Sequence, residues 1–142
     1  MAEARIDRRE LIRHMLADFP EMRPLLKGYR TGVHQELSAF SRYTQAAIDR
    51  RQTELVSRCF GFVARCYPLA KSSVRAAIGS SYLEELDFSG TERRWAAAQM
   101  PDELRLVWVE VNVFLEDRLG RSRADVGFDR NKERERALRR SG

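Results

Sequence analysis

Apolar residues recur along most of the chain at spacings of three and four, the repeat of one face of an α-helix. The repeat is clear over residues 11–19, 33–49, 53–67 and 71–87. A proline or a run of polar residues interrupts it after each of the first three segments. This pattern predicts an all-α protein that packs five or six helices through their apolar faces.

Residues at the ends of these segments suit helix termini. Asp7 with Glu10 three residues later forms a capping-box pattern at the start of the first helix. Pro20 ends that helix, because proline cannot continue it. Ser72 or Ser73 is expected to cap the fourth helix, since a serine hydroxyl accepts a hydrogen bond from a free backbone N–H.

The last two segments are less uniform. Residues 91–100 are rich in helix-forming residues and predict a short helix. In 102–119, valine occupies every second position from 107 to 113, as in a strand. We predict a helix there, because the segment contains no turn residue, exceeds the usual ~5–6 residues of a strand, and has no second strand to pair with. Gly120 lies where a helix cap is expected.

The predicted helices could form an antiparallel bundle or a stack of helical hairpins, and the spacing of apolar residues fits both. A chain of 142 residues suits one domain. We expect a single helical domain over residues 1–120 and a basic, flexible tail over residues 121–142.

The positive charge of the chain is concentrated in this tail. The whole chain has 26 basic and 21 acidic residues, and residues 121–142 contain 8 and 4 of them, leaving 18 and 17 in the body. Such a tail could attract nucleic acid. However, its acidic residues are interspersed with the basic ones, and no aromatic residue follows Phe128. A solvated tail, with a marginal helix over residues 129–140, is the simpler interpretation.

The sequence contains neither a membrane-spanning run nor a secretory signal. No apolar run approaches the ~20 residues that cross a bilayer, and the first ten residues lack the apolar core of a signal peptide. We therefore expect a cytoplasmic protein.

Residues that could support catalysis are sparse. Cys59 and Cys66 are two turns apart on one predicted helix, about 10 Å along its axis, which is too far for a disulfide. We expect both to be buried thiols. The only histidines, His14 and His34, belong to no metal-binding motif, and no phosphate-binding or nucleophile motif occurs. We expect no catalytic residues, no metal and no cofactor, and hence not an enzyme.

The densest acidic cluster lies within residues 81–88. On a helix, Glu84 and Asp87 would be neighbours, with Glu85 about 100° away, which makes an acidic edge and not a catalytic pair. This edge is either a solvated helix face or a contact surface for a basic partner. Residue types enriched at interfaces would extend such a surface: Arg93, Arg94, Trp95, Met100 and Arg105. A core position for Trp95 is also compatible with its alanine-rich segment.

Short motifs occur in a fixed order along residues 10–119: Phe19-Pro20, Glu36-Leu37 with Phe40, Phe60-x-Phe62-Val63, residues 81–88, Trp95, Met100-Pro101, Leu104-Arg105 and Trp108. In this order they resemble a small bacterial family of uncharacterised all-helical proteins. Members of such families often resemble immunity proteins encoded beside polymorphic or secreted toxins. The most distinctive motif is Tyr-Leu-Glu-Glu-Leu-Asp-Phe at residues 82–88.

This resemblance implies a stoichiometric protein that binds and neutralises a cognate toxin without catalysis. Glu84, Glu85 and Asp87 would then occupy a basic nuclease or nucleotide-binding site of the toxin. The alternative is a regulatory or nucleic-acid-associated helical protein that acts through its arginine-rich tail.

Overall fold

The computed structural model describes residues 5–26 and 32–119, with side chains up to Asn112. Within these ranges the chain forms seven α-helices: α1 (Arg8–Asp18), α2 (Arg23–Leu26), α3 (Val33–Asp49), α4 (Thr53–Cys66), α5 (Ser72–Ala77), α6 (Arg94–Ala98) and α7 (Asp102–Leu119). Short 3₁₀ turns span Pro20–Met22 and Tyr67–Leu69, and a π-helix spans Ile78–Leu83. The described residues contain one isolated β-bridge, between Ile6 and Ala70, and no strand. The all-α class is confirmed.

Aromatic rings from four elements form the centre of the core. Phe40 of α3 is fully buried, and its ring centroid lies 5.2 Å from that of Phe19, 5.6 Å from that of Phe62 and 5.5 Å from that of Tyr82. Centroids at these separations contribute favourable ring contacts in addition to the burial of apolar area. The core therefore joins the end of α1, α3, α4 and the π-helix in one cluster.

The predicted end of α1 is confirmed, and so is its cap. Asp7 accepts a hydrogen bond from the backbone N–H of Glu10 at 2.9 Å, and α1 ends at Asp18, before Pro20. This hydrogen bond is the main reason that the pKa of Asp7 is lowered.

The predicted serine cap of the fourth helix is wrong. Lys71 precedes α5, and no side chain caps the helix. The backbone N–H of Lys71 donates to Ile6 O at 2.9 Å, in the bridge between the N-terminal segment and the 3₁₀ turn. The helix thus begins directly after this bridge, and Ser72 is already its first residue.

The fourth helix also differs from the predicted range of 71–87. It changes to π-helical geometry at Ile78 and ends at Leu83, where the N–H of Glu84 donates to Gly79 O at 3.0 Å. A π-helix is a rare departure from the α-helical ladder and often occurs at functional sites. The predicted helix over 91–100 is shorter as well, because the residues before Arg94 form a turn and not a helix.

A helix over 102–119 is confirmed, and its geometry explains the alternating valines. Successive helical residues are about 100° apart, so Val107 and Val111 share one side while Val109 lies about 160° from each. Val109 is buried, and the other two are half-buried. The alternation therefore marks a helix with a broad apolar arc, of which one part is buried and another part only half-buried. Gly120, the tail 121–142, a helix over 129–140 and the side chain of Val113 lie outside the described residues.

No helix among residues 5–26 and 32–119 combines the length and the apolar character needed to cross a membrane.

Candidate functional site

The residues that carry the predicted acidic edge are attached to α3 by a row of polar contacts, which we call the polar seam. Four α3 side chains form it, at spacings of three and four: His34, Ser38, Ser41 and Gln45. His34 Nδ1 lies 2.7 Å from Ser81 Oγ, and Ser38 donates to Glu85 at 2.9 Å. Because these contacts run along one face of a long helix, they hold the π-helix and the residues after it in a defined position.

The polar seam also satisfies backbone groups that the irregular segment leaves without helical partners. The Ser41 hydroxyl donates to Tyr82 O at 2.9 Å. The Gln45 amide donates to Asp87 O at 3.1 Å, and its oxygen accepts from the Asp87 N–H at 2.9 Å. Buried backbone groups require partners, so Ser41 stabilises the π-helix, and Gln45 attaches the exposed turn after it to α3.

Tyr82 anchors the buried side of the polar seam. Thr44 Oγ1 donates to Phe40 O at 2.9 Å and lies 3.0 Å from Tyr82 Oη. Burial raises the pKa of Tyr82 well above its ordinary value. The phenol is therefore neutral at physiological pH, and its position in the core indicates a structural role.

Asp87 and Arg93, both predicted to contact a partner, bind each other. Arg93 Nη1 donates to Asp87 Oδ2 at 2.7 Å, and Arg93 Nε donates to Asp49 Oδ1 of α3 at 2.9 Å. The hydrogen bond to Asp49 is the main reason that the pKa of Arg93 is raised. Asp87 also accepts from the Ser89 N–H at 2.8 Å. These contacts close the turn against α3.

Met100 and Arg105 are not on the surface, in contrast to the prediction. Each is only 2% exposed, and the Arg105 guanidinium donates to the carbonyl of Ala97 in α6. Trp95 is half-buried, and its indole N–H donates to Glu92 O at 2.9 Å. Trp108 is 4% exposed and belongs to the core.

Of the predicted contact residues, Glu84, Glu85 and Arg94 remain available at the surface. Glu84 is partly exposed, and Glu85 and Arg94 are exposed. Neither glutamate forms an ion pair within the described part of the chain. We call Glu84 and Glu85 the acidic edge.

Next to the acidic edge, an apolar groove runs between α5 with the π-helix and α7. We call it the α7 groove; it has a volume of about 460 Å³. Its lining is mainly apolar: Tyr67, Ala76, Gly79, Leu106, Val107 and Val111. Gly79 brings the two walls close together, since a Cβ there would lie 3.4 Å from Val111.

The charged residues at the rim of the α7 groove are Arg75, Glu84 and Glu110. Arg75 donates to Tyr67 O at 3.1 Å and to Pro68 O at 2.8 Å, and its guanidinium lies over the Tyr67 ring. Glu110, like Glu84, has no ion pair within the described residues. The rim therefore presents two carboxylates that the described part of the chain does not neutralise.

A second cleft, of about 470 Å³, lies between α1 and α4 and has Phe62 among its lining residues. We call it the α1/α4 cleft. Both of its carboxylates pair with arginines, Glu10 with Arg13 at 2.5 Å and Asp18 with Arg65 at 3.2 Å. Arg5 also lines this cleft and has no ion pair with a described residue, so the charge left over is basic, whereas that of the α7 groove is acidic.

The cysteines are free and buried, as predicted. Burial raises the pKa of Cys59 and of Cys66 to about 11. Both thiols are therefore protonated at neutral pH, and a protonated thiol is a poor nucleophile.

The contact between His34 and Ser81 resembles a nucleophile beside a base. The Ser81 side chain belongs to a residue only 8% exposed, and in the described residues no carboxylate orients His34 through its other ring nitrogen. Nor do any three His, Cys, Asp or Glu side chains described by the structure lie close enough together to hold a metal ion. The arrangement fits a structural contact of the polar seam.

The sequence pattern predicted the acidic edge but not the α7 groove, whose walls include Leu106, Val107 and Glu110. A signal for the groove was present in the sequence. Valines at alternate positions of a helix are about 160° apart, so Val107 and Val111 cannot be buried in the same direction as Val109.

Compared with models of protein families, residues 12–116 of the chain match DUF7674, described as a domain of unknown function. No curated protein and no solved structure matches the chain.

Proposed function

The chain belongs to the DUF7674 family, and we propose that it is a non-catalytic interaction protein of the immunity or antitoxin kind, which binds and neutralises a cognate bacterial toxin in the cytoplasm. The observation that carries the proposal is the attachment of the acidic edge to α3. Ser38 donates to the Glu85 carboxylate and Ser41 donates to the backbone two residues before Glu84, and both glutamates remain at the surface. Binding groups that are already ordered lose less conformational entropy when a partner binds.

The charge of the acidic edge suits a basic site on the partner. Toxins that act on nucleic acids or nucleotides require basic residues where the phosphates bind. Carboxylates at fixed positions would accelerate association with such a site and would occupy it in place of the phosphates. The body of the chain is nearly neutral, so this electrostatic attraction would be local to the acidic edge.

One observation favours a second candidate function. Residues 121–142 contain 8 basic and 4 acidic residues. A regulatory or nucleic-acid-associated protein could use these residues to bind phosphates, with an affinity that falls steeply as salt increases.

The two candidates are distinguished by recovering the tagged full chain from its native host, with and without nuclease, and identifying what remains bound. We expect one defined protein in a nuclease-resistant complex. This protein should be toxic when expressed alone and harmless when co-expressed with the chain. Recovery of only nucleic acid or ribosomal proteins, lost when residues 121–142 are deleted, would contradict the immunity function.

Substitution of the acidic edge tests where the toxin binds. Glu84→Lys with Glu85→Lys should weaken toxin binding at least tenfold, because both charges would then repel a basic site. Glu103→Lys is the control, since Glu103 is exposed on α7 and does not line the α7 groove. Asp87 should be left unchanged, because its reversal would break the contact with Arg93. Unchanged affinity in the double variant would exclude the acidic edge.

A further inference from the structure

The α7 groove is formed by a part of α7 that the core covers only incompletely. The core covers Leu104, Trp108 and Val109, whereas Leu106, Val107 and Val111 remain half-buried. Val107 contacts the core with part of its surface, and apolar surface that remains exposed beside polar residues is typical of a contact surface. The groove side therefore has the composition of a contact surface.

The charges at the groove restrict what could fill it. Glu84 and Glu110 both line the groove and have no ion pair with a described residue. Arg75, the one cation among the groove-lining residues that the structure describes, donates to two backbone carbonyls. An occupant with basic side chains beside its apolar ones would complement both the carboxylates and the lining.

We propose that the α7 groove binds an amphipathic helix of the protein partner, one that inserts apolar side chains between α5 and α7 and directs lysine or arginine side chains to Glu84 and Glu110. Insertion of a helix into a groove between helices is a common mode of peptide recognition. The inference rests on the proposed function, because it describes the part of the toxin that would contact this chain. Glu84 would belong to both the acidic edge and the groove.

A second copy of this chain is a poorer occupant. In a two-fold symmetric contact the same patch meets itself. Glu84 and Glu110 of one copy would then approach the same carboxylates of the other, and like charges brought together oppose binding.

The test uses two synthetic peptides and the full chain labelled with ¹⁵N and ¹³C. Both peptides have the same leucine and alanine face, and the polar face carries lysine in one and glutamate in the other. We expect the lysine peptide to shift the NMR signals of Gly79, Val107 and Val111, and to bind at least tenfold more tightly than the glutamate peptide. Equal affinities, shifts confined to other surfaces, or no shifts with the lysine peptide would overturn the proposal.

Three variants determine whether binding occurs in the groove. Val107→Ser with Val111→Ser removes apolar lining and should weaken binding of the lysine peptide about tenfold. Ala76→Trp should block the groove from its opposite wall, since Ala76 is exposed on α5. Glu110→Gln should weaken binding about threefold, whereas Glu103→Gln, on the same helix, should not. Unaltered binding in the first two variants would overturn the proposal.

Deletion of residues 121–142 tests whether the basic tail of this chain, and not a partner, occupies the α7 groove. If the lysine peptide binds only after this deletion, the tail is the occupant of the groove, and the proposal for a partner helix is wrong. We expect the same affinity with and without the tail.

The failures of the two proposals are distinguishable. If a toxin is captured and its binding depends on Glu85 but not on Val107 and Val111, the immunity function stands and the groove proposal fails. If the lysine peptide binds in the groove but no captured protein is toxic, the groove proposal stands and the immunity function fails.

Discussion

The π-helix and the turn that follows it have two different sides. On the α3 side, polar groups are paired by the polar seam, from His34 and Ser81 to Gln45 and Asp87, and beyond it Arg93 pairs with Asp49. On the α7 side, the α7 groove exposes apolar side chains between carboxylates that have no ion pair within the described residues. The polar groups on the α3 side of this segment thus have partners within the fold, whereas the carboxylates on its α7 side have no ion pair with a described residue. This difference indicates which side is available to a partner.

The α1/α4 cleft differs from the α7 groove in the sign of its unpaired charge. It is about as large as the α7 groove, and it contains more charged side chains. Both of its carboxylates are paired with arginines, and the charge left over is that of Arg5. The two surfaces would therefore attract partners of opposite charge, and only the α7 groove complements a basic one.

The largest expected effect comes from removing the aromatic anchor of the polar seam. Tyr82→Ala should lower the free energy of unfolding by about 3–5 kcal/mol, because it leaves a cavity against Phe40 and Thr44. Urea unfolding monitored by circular dichroism would measure the loss. Tyr82→Phe keeps the ring and should cost much less. A loss below about 1 kcal/mol for the alanine variant would contradict the central role of this contact.

The two sides of α7 should differ in their contributions to stability. Val109→Ser should cost about 2–4 kcal/mol, because it removes buried methyl groups and buries a hydroxyl. Val107→Ser should cost less than about 1 kcal/mol, since this side chain is half-buried. Thermal and urea unfolding of the two variants, compared with the unchanged chain, would check the difference. Similar losses in both would show that the groove side is part of the core.

Within the polar seam, Ser41→Ala should cost about 1–2 kcal/mol, because the buried carbonyl of Tyr82 would lose its donor. Hydrogen exchange should show the reason directly, through faster exchange of amides in the π-helix. Ser57→Ala is the matched control, since Ser57 is exposed on α4. If both variants were equally stable, the hydrogen bond to the Tyr82 carbonyl would not stabilise the segment.

Helix periodicity predicted the long helices well, because their apolar spacing and their ends depend on neighbouring residues in the sequence. The ranges of α3 and α7 match those predicted. The change to a π-helix at Ile78 could not be predicted in this way. Its contacts with Ser41, and those of the following turn with Gln45, come from residues far away in sequence and form only once α3 has packed against the segment.

The candidate site was predicted only in part, for the same reason. Glu84 and Glu85 are at the surface, but composition could not show that Asp87 pairs with Arg93 or that Arg105 is buried. Which charged residues are paired internally is a tertiary property. The α7 groove, by contrast, had a local signal in the alternating valines, which was first interpreted as a choice between helix and strand.

The smallest expected effect is the difference in stability between two variants, one at a carboxylate that is paired within the fold and one at a carboxylate that is not. Glu36 is 4% exposed and accepts two hydrogen bonds from Arg8, at 2.6 and 3.0 Å. Glu36→Gln should therefore lower the free energy of unfolding by about 1 kcal/mol, a value reduced by the exposure of Arg8. Glu110→Gln should change it by only a few tenths of a kcal/mol. Urea titrations of both variants would measure this difference. An equal loss in the free energy of unfolding would mean that Glu110 stabilises the fold and would contradict its role in binding a partner.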